Sequence, residues 1–308
     1  MTQARRGLAG LTSKRTPAVN KRVGGGGRGR GNSKAKTVGT VAKESWLDLS
    51  IAQKYTDNRP LWLPGREPEK GWTPSSMVNS CDRLLILGLL GFRGEPFPTH
   101  VKRIFEMGQA IEKLWQKRFT EFGILIGSNV RAKFDGPPKL SYEYDVMIKH
   151  PFERGRRMIG EIKSCNDRSF KLLPQRTLDP VANLENLSNI GDSYFGGQVK
   201  KYLLQLLAYL YAQNVEEGFL LFDNKNDSKF RDFYISLEVG RDMIVSQFER
   251  MNHLNEYWVK QVVPPCTHDP EENGFGSKKN SVLCGLHDDE EVALNEVKEW
   301  TKLEDLDI

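Results

Sequence analysis

A chain of 308 residues, 38% hydrophobic and 28% charged, is long enough to bury one large core or two small ones. No apolar run approaches the ~18 residues needed to span a bilayer, and the first residues lack a secretory-type apolar stretch. The expectation is therefore a cytoplasmic protein with no membrane partner. The net charge of +5 hides a division, because residues 1–43 hold eleven Lys or Arg and no Asp or Glu, which leaves the remainder net acidic.

Residues 1–43 include Gly24 to Gly27 in a row and almost no large apolar side chains, so they are expected to form a disordered basic tail. A flexible polycation attracts nucleic-acid phosphates without reading sequence. The alternatives are an inert tail and a transit peptide to the mitochondrial matrix, although the glycine run argues against an amphipathic transit helix. Residues 44–79, with Trp46, Trp62 and Trp72 among Pro60, Pro64 and Pro68, read as an irregular arm laid over the main domain. Ser80-Cys81-Asp82 ahead of Leu84, Leu85, Leu87, Leu89 and Leu90 predicts a short buried helix that stops at Gly91.

Ile104, Gly108, Ile111, Trp115, Phe119 and Phe122 recur at helical spacing and predict a long helix over 99–122. Glu112 borders that stripe, and a carboxylate there must be solvated, paired or bound to metal. A hairpin is expected next, 140–148 with 158–164, around a polar loop containing Pro151 and Gly155. On its second strand Glu161 and Lys163 share one face and Ile162 takes the other, and pairing brings Asp145 near both. Two carboxylates and a lysine on one patch suit a hard divalent cation and an activated water. An ordinary cross-strand ion pair is the plainer alternative.

Residues 165–195 read as a mixed loop with a short helix, either a lid or a plain connection. A helix over 197–213 has a core face of Val199, Leu203, Leu206 and Leu210, with Tyr202, Gln205 and Tyr209 on a neighbouring face. Strands at 219–222 and 233–237 flank the polar turn 223–228, and a last helix spans 241–259. The order describes an α/β domain with a mixed, mostly buried sheet. Residues 288–308 carry nine acidic residues against Lys298 and Lys302. Val292, Leu294, Val297 and Trp300 there are spaced for an amphipathic helix, either a solvated end or a protein-binding segment.

Four of these pieces, in this order, resemble the PD-(D/E)XK nuclease superfamily, in particular its RecB-like exonuclease branch, which includes CRISPR adaptation nucleases and many phage proteins. Phe105-Glu106-Met107-Gly108-Gln109-Ala110-Ile111-Glu112 looks like the first motif, a glycine four residues before a metal-proximal Glu. Asp145 looks like the invariant aspartate, Glu161-Ile162-Lys163 like E-x-K, and Gln205-x-x-x-Tyr209 like Q-x-x-x-Y. Tyr142-Glu143-Tyr144 departs from the glycine and basic residue often found before the aspartate. The resemblance covers roughly Ser80 to Leu237.

It implies a restriction-endonuclease-like core, a mixed central sheet flanked by helices, over residues 80–262, with 263–308 as a C-terminal extension. It also implies a Mg²⁺- or Mn²⁺-dependent deoxyribonuclease, an exonuclease acting on linear single- or double-stranded DNA in a bacterial or phage-infected cell. Asp145, Glu161, the Ile162 carbonyl and Glu112 would hold the metal. Lys163 would orient water or stabilise developing charge, and Gln205 and Tyr209 would contact backbone or support the site. A catalytically silent binding or assembly protein on the same fold, and an RNA nuclease, are the rival readings.

Many RecB-like relatives hold an iron–sulfur cluster with one cysteine before the first helix and three near the C-terminus. This chain has four cysteines, of which Cys81 sits at the first place and Cys266 and Cys284 lie C-terminal, with Cys165 elsewhere. With His287 the set becomes Cys₃His, which suits zinc or an unusually ligated cluster. A lost cluster with leftover cysteines is the third alternative.

Overall fold

A five-stranded mixed sheet in the order β1-β2-β3-β4-β5 organises the chain. The structure is a computed structural model that describes residues 65–78, 81–91, 99–151, 153–191 and 194–265. The basic tail, the acidic end, Cys266, Cys284 and His287 lie outside the described residues. The helices are α1 (Pro74–Met77), α2 (Asp82–Leu89), α3 (Thr99–Glu121), α4 (Asp167–Leu172), α5 (Pro180–Ser188), α6 (Tyr194–Gln213) and α7 (Leu237–Lys260). The strands are β1 (Leu125–Phe134), β2 (Leu140–Lys149), β3 (Arg157–Cys165), β4 (Glu217–Asn224) and β5 (Phe230–Ser236). All neighbouring strands run antiparallel except β3 and β4, which are parallel and joined through α4, α5 and α6.

The sheet is sandwiched. On one face Trp115 and Phe119 of α3 pack on Val146, Ile148, Met158, Ile162, Phe219 and Leu221. On the other, α6 and α7 close a larger core around Leu203, Leu206, Phe222, Phe233, Ile244 and Trp258. Every residue of β4 is buried, as expected of a central strand covered on both sides. Gly160 on β3 lies under the Phe219 ring, and a Cβ built there would sit 2.1 Å from Phe219 Cζ.

The long helix ends at a glycine the sequence reading did not single out: Gly123 takes φ 69, with Gly123 N–H bonded to Thr120 O and Ile124 N–H to Phe119 O. Its apolar stripe, however, is not buried throughout. Ile104 and Phe122 are exposed, and the apolar packing of α3 on the sheet is made by Ile111, Trp115 and Phe119. Strand β1 has no counterpart in the sequence reading, because Gly127 and Asn129 interrupt it and its faces are only half-buried. The stretch 165–195 holds two helices rather than one. They are capped by Asn166 Oδ1 (to Ser169 N–H, 2.8 Å) and by Asp179 Oδ1 (to Val181 N–H, 2.9 Å).

The described part of the arm belongs to the core. Trp72 is buried and stacks edge-on against Trp258 at 5.0 Å. Its backbone bonds to Lys139 O and Ser141 N–H, both at 2.8 Å.

Candidate active site

The site follows from a fork in the sheet. β1 covers one edge of β2 from Leu140 to Ile148, whereas β3 pairs with the other edge only from Lys149↔Arg157 to Val146↔Gly160. Beyond Gly160, β3 continues alongside β4 to Cys165, and the edge of β2 that it leaves is taken up at Leu140 by Trp72 of the arm. Asp145 stands where the two strands part.

Alternation in β2 breaks at that residue. Tyr142 and Tyr144 belong to the α6 side, Val146 and Ile148 to the α3 side, although the register with β1 is the same on both sides of Asp145. Its carboxylate accepts the Ile162 N–H at 2.7 Å in place of a backbone carbonyl. Its own carbonyl accepts from the Gln116 side chain at 3.2 Å. Opposite it on β1, Asn129 adopts φ 50.

Glu161 is 1% exposed, and its Oε2 has no hydrogen-bond donor among the described residues. Lys163 Nζ forms a close ion pair with Glu161 Oε1 and lies 5.1 Å from the centre of the Tyr202 ring. Burial, and then the Glu161 charge, push the Asp145 carboxyl up to about 8. Burial likewise raises Glu161, against the pull of Lys163. For Lys163 burial works downward but is outweighed by Glu161 and Asp145, so its pKa is raised and it stays charged. The centre is a buried Glu161 and a half-buried Asp145 with one lysine to neutralise them.

Glu112 approaches from α3. Its Oε1 accepts from Gln116 Nε2 at 2.9 Å and from Asn129 Nδ2 at 2.8 Å, and its charge adds to the raising of both Asp145 and Glu161. A Cβ built on Gly108, one turn earlier, would lie 3.5 Å from Ser164 Oγ, so the glycine lets the helix run close to β3. From α6, Gln205 Nε2 donates to Tyr209 Oη at 2.6 Å. Tyr209 is buried beside Tyr142 and Tyr144, and burial and the Glu161 charge hold its hydroxyl protonated.

Gln205 and Tyr209 also line a groove of about 620 Å³ with Arg66, Arg131, Lys133 and Glu143. Arg66 is committed there to Ser141 Oγ and to Gly71 O (2.7 Å), and Arg131 pairs with Glu143 at 2.6 Å.

The fold thus gathers Asp145, Glu161, Lys163, Glu112, Gln205 and Tyr209 around one fork. It does not bring Cys81 there: that buried thiol caps α2, accepting from Leu84 N–H at 3.5 Å. Cys165 ends β3 with its thiol pushed by burial up to about 11. Sequence reasoning missed Gln116, Asn129, Arg131 and Lys133. Only Gln116 left a signal, its i+4 spacing from Glu112.

Among the described residues, His150, Glu153 and Glu217 form the one trio of His, Cys, Asp or Glu whose ligand atoms all lie within 4.8 Å. It sits at the other end of β3. Arg156 already bridges its two carboxylates, at 2.6 Å to Glu153 and 2.8 Å to Glu217.

No family model matches the chain, and no curated protein matches it. Solved structures do. An alkaline exonuclease from Laribacter hongkongensis aligns at 11% identity and TM-score 0.38, covering 63% of this chain and 94% of its own. Its complex with dAMP aligns at 14% identity and TM-score 0.39, covering 62% and 89%. A phage-related exonuclease from Haemophilus somnus aligns at 10% identity and TM-score 0.37, covering 65% and 95%. At such distances the functional reading rests on the site's own residues.

Proposed function

We propose that the protein is a divalent-metal-dependent nuclease that hydrolyses phosphodiester bonds in DNA. The observation that carries this reading is the buried Glu161 carboxylate, paired with Lys163 at one oxygen and without a donor among the described residues at the other, with the Asp145 charge beside it. Dry anions with too little positive charge around them are unfavourable, and a hard cation bound by oxygen ligands relieves that cost. The residues fit such an ion. Asp145, Glu161 and the Ile162 carbonyl on the fork edge would hold Mg²⁺ or Mn²⁺, with Glu112 next to them. Mg²⁺ is commonly held by one or two carboxylates together with waters and substrate phosphate, so a sparse ligand set suffices. When bound, the ion supplies Lewis acidity at the scissile phosphate and lowers the pKa of a water.

The chain's own groups do the rest. Lys163, charged and fixed between Glu161 and the Tyr202 ring, presents a cation where negative charge develops during phosphoryl transfer. Tyr209, kept protonated, and Gln205 offer hydrogen-bond donors along the groove. Arg131 and Lys133 in the same groove attract the nucleic-acid backbone. The motif resemblance supports an exonuclease acting on linear ends.

The deciding assay incubates end-labelled linear DNA, and separately circular DNA, with Mg²⁺, Mn²⁺ or EDTA, beside Asp145→Ala and Lys163→Ala. We expect metal-dependent loss of linear DNA, abolished in Asp145→Ala and reduced about 10²–10³-fold in Lys163→Ala. Cleavage of circles would make the enzyme an endonuclease. Binding without cleavage under every metal would favour an assembly protein, and cleavage of RNA alone a ribonuclease.

A further inference from the structure

We propose that Asn129 and Gln116 form an amide clamp that positions Glu112 for the cation site and holds the Asp145 backbone. The inference rests on the metal-dependent reading above and deepens it. Both amides donate to the same oxygen of Glu112, Gln116 Nε2 at 2.9 Å and Asn129 Nδ2 at 2.8 Å. Gln116 Nε2 also lies 2.9 Å from Asn129 Oδ1 and 3.2 Å from the Asp145 carbonyl, so its two protons are shared among three acceptors. One carboxylate oxygen of Glu112 is therefore pinned, and no hydrogen bond from a described residue reaches the other.

The clamp is built from three elements. Gln116 is one turn after Glu112 on α3, so the two side chains share a helix face. Asn129 comes from β1, where it stands opposite Asp145 and takes the left-handed φ of 50. Asn tolerates that conformation better than most residues, and its short amide reaches Glu112 from there. Gln116 is also the only side chain among the described residues seen to bond the Asp145 carbonyl, where the alternation of β2 breaks. A carboxylate held by two donors is aimed without the freedom to turn away, so the cation meets a preorganised ligand set. Asn129 and Gln116 are positioning residues: they act through Glu112 and Asp145 and touch neither metal nor substrate.

The test uses the full chain and Mn²⁺ as the probe, with binding measured by calorimetry and melting by circular dichroism. The variants are Asn129→Gly, Gln116→Ala, their double, and Asp145→Asn. Asn129→Gly removes the amide while easing the left-handed backbone, so its Tm is expected to hold or rise. Its Mn²⁺ affinity is expected to fall about 10- to 100-fold, as is that of Gln116→Ala. The double variant should lose less than the two losses combined, because the two amides serve one carboxylate. Excess Mn²⁺ should restore turnover in the clamp variants and not in Asp145→Asn. Wild-type affinity in both clamp variants, with loss in Asp145→Asn, would refute the clamp and leave the nuclease reading standing. A fall in affinity that only tracks a fall in Tm would refute it as well. If the wild-type chain binds no Mn²⁺, the metal reading fails and the clamp with it.

Discussion

At the residue scale the decisive quantity is the proton on Asp145. Without metal its carboxyl titrates at about 8, against roughly 4 for an unfolded aspartate. Between those values the folded protein binds more protons than the unfolded chain, so stability is fully present below about pH 4 and is lost as pH rises toward 8. The raised pKa of Glu161 adds a loss of the same sign. In EDTA, thermal melts of the wild type should therefore fall from pH 5 to 8, and Asp145→Asn should flatten that slope. Because Mn²⁺ must displace the Asp145 proton, its affinity should rise about tenfold per pH unit below 8 and level off above, by calorimetry. The sequence made Asp145, Glu161 and Lys163 legible, since strand alternation already put Glu161 and Lys163 on one face. It left Asn129 unreadable: its importance comes from a left-handed backbone opposite Asp145 and from contact with a helix residue thirteen positions away.

At the element scale the long apolar signals were the readable ones. The run Phe219–Phe222 announced a buried strand, and the spacing of Trp115 and Phe119 a helix packed on it, whose C-terminal glycine was not singled out. β1 carried no such pattern, because an edge strand half open to solvent needs no continuous apolar face. The contact of β3 with β4 depends on Gly160, where any side chain would collide with the Phe219 ring. Gly160→Ala is expected to cost about 1–3 kcal/mol in urea denaturation, and Phe219→Leu in the same chain to recover part of it. Because Gly160 adjoins Glu161, the single variant should also weaken Mn²⁺ binding more than its stability loss alone explains.

At the scale of the whole molecule the arm, β1, β2 and α6 meet to form the groove beside the fork. Arg131 and Lys133 are the residues to remove there, since Arg66 also ties the arm to β2. Arg131→Gln with Lys133→Gln should weaken DNA binding at low salt. It should also reduce the slope of log affinity against log salt by about one for each phosphate no longer neutralised. Turnover at saturating DNA should change far less, because neither residue reaches Asp145 or Glu161. Anisotropy titrations at several salt concentrations read the first effect, and single-turnover cleavage the second. No described helix is long and apolar enough to cross a membrane.

The sequence by itself determined the α/β class, most of the helices and strands, and the residue types of the acidic centre. Those features repeat with the period of the local backbone, so a linear pattern suffices to reveal them. Only the tertiary structure decided that β2 and β3 part at Asp145, that the arm and not β3 completes the far end of β2, and that two amides grip Glu112. Each of those depends on where strands stop pairing and on contacts between distant segments. The periodicity of a single segment carries no record of either.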